Sequence, residues 1–122
     1  MSQTQNVLVI GIDPRAIPGL DADAVESLLA RGQARFAAHN IDADICYICV
    51  DESAERVIVE HLNKKSYACV VVGGGIRKPE PLLEFFEKVI NLIRRHAPAA
   101  AIAFNTSPED SLEAAMRWLN KT

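Results

Sequence analysis

Four short apolar runs punctuate the chain: Val7 to Ile12, Ile45 to Val50, Ala68 to Val72 and Ala99 to Phe104. Each has the length of a strand, and the first three are rich in Val and Ile. They are nearly continuous rather than alternating, which is the pattern of strands covered by helices on both faces of a parallel sheet. Segments of helical periodicity lie between and after them. The order is strand then helix, repeated along the chain, and it predicts an α/β fold: a three-layer αβα sandwich around a four-stranded parallel sheet.

The helix ends carry their own signals. Asp23 reads as the N-cap of the first helix, with Glu26 three residues on to reach back, and Asn40 reads as its stop. The second helix is expected to start near Ser53 and to end around Lys64 and Lys65, where positive charge suits the dipole. The third opens at Pro81 and closes on Arg94, Arg95 and His96 before Pro98. Ser107, Pro108 and Asp110 give the clearest start signal, for the fourth.

The third helix carries Leu82, Leu83, Phe85, Phe86, Val89, Ile90, Leu92 and Ile93, an apolar arc covering roughly half its circumference. Such an arc either fills a groove between the helix's own strand and a neighbouring helix or buries a partner subunit. The Ala99 to Phe104 run is expected at a sheet edge, which also needs covering or pairing. A homodimer through the third helix or the fourth strand is one expectation.

Right-handed crossovers with helices on both faces require the sheet to reverse direction once, and four strands do so most simply in the order 2-1-3-4. The crevice at the carboxyl ends of the first and third strands is where open sheets of this kind bind ligands. Asp13, Pro14 and Arg15 fall on one side of it, and Gly73, Gly74, Gly75, Ile76 and Arg77 on the other. Three consecutive glycines are costly in backbone entropy, so they serve either a tight turn or close approach of a ligand to the backbone. An anion cradled by Gly73 to Gly75, clamped by Arg77 and Arg15 with Lys78 adding charge, is the binding expectation; Asp13 could act as a base or metal ligand, or as a simple turn starter.

This strand order resembles that of flavodoxin-like folds, including response-regulator receiver domains, over nearly the whole chain. The resemblance implies an architecture rather than a chemistry. Receivers carry a phosphoacceptor aspartate after the third strand, where this chain has Gly73, and of their acidic pair after the first strand only Asp13 remains. The fifth strand of receivers is also missing. Asp13 to Ala16 do not supply the hydroxyl-rich phosphate loop of flavodoxins.

Several function classes lose ground on composition. The net charge of −3 offers no basic excess for a nucleic-acid backbone. The apolar runs are about half the roughly 20 residues of a membrane span. Cys46, Cys49 and Cys69 lie in apolar segments without a leader-like start, so a reducing, cytoplasmic setting is expected rather than a disulfide framework. Cys46 and Cys49 would point to opposite faces of a strand, which disfavours a shared metal or a redox pair. His39, His61 and His96 all fall at helix carboxyl ends, away from the crevice, which removes the commonest general base. No Gly-x-Gly-x-x-Gly follows the first strand, so Asp51, Glu52 and Ser53 read as helix caps rather than as a dinucleotide's ribose site; no metal site and no cofactor is expected. The whole of 1–122 reads as one domain. Two functions remain open: binding of a small anionic ligand at the sheet's carboxyl edge, with or without catalysis, and a non-catalytic interaction module.

Overall fold

A computed structural model describes residues 5–119. The elements alternate as the apolar pattern requires: β1 (Gln5–Ile12), α1 (Ala22–Ala38), β2 (Ile41–Ile48), α2 (Ser53–Leu62), β3 (Cys69–Val72), the single turn α3 (Gly74–Arg77), α4 (Leu83–His96), β4 (Ala101–Phe104) and α5 (Ser111–Leu119). Short 3-10 turns at Pro14–Ala16 and Glu80–Leu82 lead towards α1 and α4. All strand pairs are parallel and the order is β2-β1-β3-β4, as the sequence predicts.

The sheet separates two apolar layers. Leu8, Ile10, Cys46, Ile48, Val70 and Val72 face α2, α3 and α4, whose Ile58, Ile76 and Ile93 are almost completely buried against them. Val7, Val9, Ala43, Cys69, Val71 and Ala103 face α1 and α5, with Phe36 and Leu112 closing that layer. At about 0.8 kcal/mol per buried methylene, these two layers supply the main driving force for the fold. The wide apolar arc of α4 turns inward: Val89, Leu92 and Ile93 are buried and Phe85, Phe86 and Ile90 pack against the same core, while Leu83 is left exposed.

Several boundaries depart from the sequence expectation, four of them with a clear local cause. β2 begins at Ile41 rather than Ile45, because its first half alternates Ile41 and Ala43 inward with Asp42 and Asp44 on the other face. Those acids are neutralised by Lys65 at 3.0 Å from each, and Tyr67 donates to Asp44 at 2.8 Å. The N-cap of α1 is Asp21, which accepts from the amide of Ala24; Asp23 is already helical. Helical structure resumes immediately after β3 as α3, so the stretch before α4 is not one loop, and Pro81 lies in the 3-10 turn before Leu83.

α5 starts at Ser111, four residues after the expected cap. The Asp110 carboxylate accepts from the amides of Thr106 and Ser107 and from the Thr106 hydroxyl, which winds 106–110 into a turn of its own. Asn40, by contrast, ends α1 in the left-handed conformation expected of a stop, at φ 58°. Among the described residues no helix is long and apolar enough to cross a membrane.

Candidate functional site

Parallel pairing lines up residues of different strands into rows across the sheet. On the α1/α5 face one row runs Ile45, Val9, Val71, Ala103. One step towards the carboxyl ends, Tyr47 pairs with Gly11. Gly73 and Asn105 continue this row past the last ladder pairs, their amides donating to Ile10 O at 2.9 Å and Val72 O at 3.4 Å. The row therefore reads Tyr47, Gly11, Gly73, Asn105. Its two central positions have no side chain, and above them lies a cavity of about 240 Å³.

The cavity sits at the reversal between β1 and β3, where the topology places it. Val9, Ile45 and Gly11 form its floor, and Val25 and Leu29 of α1 face them. Pro14, Ile17 and Leu20 wall it from the loop after β1, and Asn105 to Pro108 close the far side. Ile17, Leu20 and Tyr47 are each about two-fifths exposed at its mouth. Lys78 is the charged side chain in this lining. A more open groove of about 660 Å³ shares Ile12, Ile17 and Gly75 with it and extends over Val50, Asp51 and Leu82.

Two local arrangements hold the polar wall. The Asn105 side chain, 4% exposed, accepts from the amide of Gly74 at 2.8 Å and donates to Ser111 Oγ at 2.9 Å, tying the glycine turn to α5. Lys78 folds back along Gly74, where a Cβ would come within 3.2 Å of its Cε, and donates to Thr106 O at 2.8 Å. The amide of Gly74, the first residue of a single helical turn, is thus met by Asn105 rather than directed at open solvent.

The residues singled out by charge divide between several places. Gly73, Gly74 and Gly75 line the cavity. Arg77 leaves on the other face, its guanidinium 5.8 Å from the Phe104 ring centroid and its Nη2 donating to Asn105 O at 3.0 Å, with Nε buried and unpartnered. Arg15 reaches away from the cavity to Asp23 and Glu26, at 2.9 Å from each. Those bonds, first with Glu26 and then with Asp23, hold its pKa up, and they strap the loop after β1 onto α1. Asp13 accepts from the amide of Arg15 at 2.9 Å and caps the 3-10 turn. Burial, followed by the nearby charges of Glu26 and Asp13, raises the Tyr47 phenol.

Among the described residues nothing at the cavity forms a nucleophile and base pair. The three histidines lie at helix carboxyl ends, with His39 and His61 bonded to main-chain carbonyls four residues earlier. Thr106 is engaged by Asp110, and Ser107 Oγ accepts from the amide of Glu109. Among the described residues no group of three or more His, Cys, Asp or Glu side chains could hold a metal ion. All three cysteines are free, and burial pushes Cys46 up to about 12 and Cys69 up to about 11, keeping both as thiols.

The sequence reading missed the apolar walls. Tyr47, Ile17, Leu20, Val25 and Leu29 look like ordinary strand, loop and helix residues, and no spacing marks them as lining. At Gly11, inside β1, an added Cβ would meet nothing within 4 Å.

Fold and site together define a doubly wound parallel α/β protein with a small, mainly apolar cavity at its topological switch point. No protein family matches the chain, and no curated protein matches it in sequence.

Proposed function

We propose that this protein binds a small ligand in the cavity over Gly11 and Gly73, with the apolar part of the ligand against Val9, Ile45, Val25 and Leu29 and an anionic group at Lys78. The observation that carries this reading is the composition of the cavity lining: apolar side chains on floor and walls, a glycine turn and hydroxyl residues at one end, and Lys78 as its charged group. Ligand sites are concave, mostly apolar and furnished with a few polar groups that fix orientation. The volume of about 240 Å³ lies below the roughly 300 to 1,000 Å³ of typical pockets, which limits the occupant to a small metabolite. Binding rather than turnover is favoured, because the side chains at the polar end are hydrogen-bonded to the protein and no histidine or cysteine lines the cavity. Arg15, Asp13 and Arg77 support the walls from outside and make no direct contact in this reading.

A thermal-shift screen with small carboxylates, phosphates and their uncharged analogues tests it. A ligand at about 100 times its dissociation constant stabilises by roughly 2.7 kcal/mol. Acids should shift the melting temperature more than their amides do, and Lys78→Met should remove the difference. Equal shifts in wild type and Lys78→Met would place the anion elsewhere.

A further inference from the structure

Glycines in strands and helices weaken them, so each calls for a cause. Gly19 has one in its φ of +78°. Gly32 has another, since a Cβ would come within 2.9 Å of Pro108 O, and Gly73 a third, at 3.2 Å from Ile10 O. Gly75, in the single turn α3, and Gly11 have none of these. Gly11 sits in regular parallel ladder opposite Tyr47, its φ is not positive, and an added Cβ would meet nothing within 4 Å. The fold would accept a larger residue at this position, and the space that residue would fill is the cavity.

We infer that Gly11 determines which ligands the cavity accepts, and that the ligand class is a planar ring bearing an acidic group. This rests on the binding reading given above and deepens it. In the next row down, Ile45, Val9 and Val71 stand up from the sheet. In the Gly11 row two adjacent strands, about 4.8 Å apart, present bare backbone between Tyr47 and Asn105. The space this leaves has the bare backbone of Gly11 and Gly73 on one side and Val25 and Leu29 of α1 among its lining. A flat ring can lie directly on that bare backbone, whereas a puckered ring of equal carbon number is thicker and makes poorer contact with it. Tyr47 at the β2 end of the row offers an aromatic neighbour, and aromatic pairs gain attraction beyond their buried area. Lys78 at the glycine turn receives the acid.

The test compares benzoate, cyclohexanecarboxylate and hexanoate, which share one charge and differ in shape, by amide chemical-shift titration of the wild type, Gly11→Ala and Gly11→Val. Benzoate should move the amides of Gly11 and Gly73 to Gly75 and bind about tenfold more tightly than cyclohexanecarboxylate. Gly11→Val should abolish those benzoate shifts while melting no lower than wild type, and Gly11→Ala should fall between. A structural glycine gives the opposite stability result, with both variants melting lower, and that would overturn the inference. Equal or tighter binding of cyclohexanecarboxylate or hexanoate at the same amides would also overturn it while leaving the binding reading intact. If none of the three acids moves these amides, both fail.

Discussion

Replacing Asn105 with Ala tests the joint that holds the cavity's polar wall. The side-chain amide makes two bonds between otherwise separate elements, to the Gly74 amide and to Ser111 Oγ, and both Asn105 and Ser111 are almost fully buried. Truncation leaves two polar groups without their partner, at about 1 to 3 kcal/mol each. The lower half of that range applies here. Gly74 borders the cavity, so water can reach its amide, and the Ser111 hydroxyl can rotate to another acceptor. The expected loss is about 2 to 4 kcal/mol. Urea unfolding followed by circular dichroism, with a slope of about 1 to 3 kcal/mol per molar, should show a midpoint lowered by roughly 1 to 2 M at unchanged slope. Ser111→Ala removes one of the two bonds and should cost about 1 kcal/mol, with the double variant less destabilised than the sum of the singles. A midpoint shift for Asn105→Ala no larger than that for Ser111→Ala would refute the bridge.

Three further outcomes follow from the same geometry. Gly32→Ala gains roughly 1 kcal/mol of helix propensity but drives a Cβ to 2.9 Å from Pro108 O, a backbone atom with little freedom to retreat; net destabilisation of about 1 to 2 kcal/mol is expected in urea, and a stabilised variant would contradict the close approach. Burial acts to raise the Asp110 carboxyl, but the hydrogen bonds from Thr106 and Ser107 outweigh it and hold the group below the ordinary carboxylate range. Its contribution is therefore fully present above the unfolded pKa of about 3.9 and is lost as the pH falls through the lower folded value, so wild type should lose more stability on acidification than Asp110→Asn, and parallel curves would refute this. Finally, a thiol reagent at pH 8 should modify partly exposed Cys49 rapidly and spare Cys46 and Cys69, rising to three equivalents in urea; two fast thiols in the native protein would contradict the burial.

The strand order was legible because each buried strand announces itself as a Val and Ile run and each crossover has one allowed hand. β2 was only half legible. An edge strand with acids on one face reads as polar until Lys65 and Tyr67 are seen beside those acids. The start of α5 was misplaced because a Ser-Pro-x-Asp signal specifies a turn as readily as a helix, and the Asp110 carboxylate reaches back to Thr106 and Ser107. Topology pointed to the crevice where the cavity lies, but charge was a poor guide to the residues that line it. Arg77 and Lys78 are neighbours in sequence, yet the turn of α3 sends one over Phe104 and folds the other along Gly74. Arg15 is held by Asp23 and Glu26, residues that the pattern assigned to capping.

The two faces of the sheet differ most at their carboxyl ends, and the difference bears on what the cavity is for. On the α2/α4 face Ile10, Ile48 and Val72 are capped by Ile76, which is fully buried, and Phe104 packs tilted against Phe86. On the α1/α5 face the corresponding positions are Gly11 and Gly73, and α1 buries Gly32 and Phe36 while Val25 and Leu29 of its first half line the cavity. At about 24 cal/mol per Å³, an enclosed void of 240 Å³ would cost about 6 kcal/mol, an upper bound because this one opens to solvent. Even a fraction of that is a large share of the 5 to 15 kcal/mol by which domains are stable. A Cβ at residue 11 would meet nothing within 4 Å and would recover part of it. On the proposed binding role, glycine there trades stability for space, as expected where a binding site competes with packing.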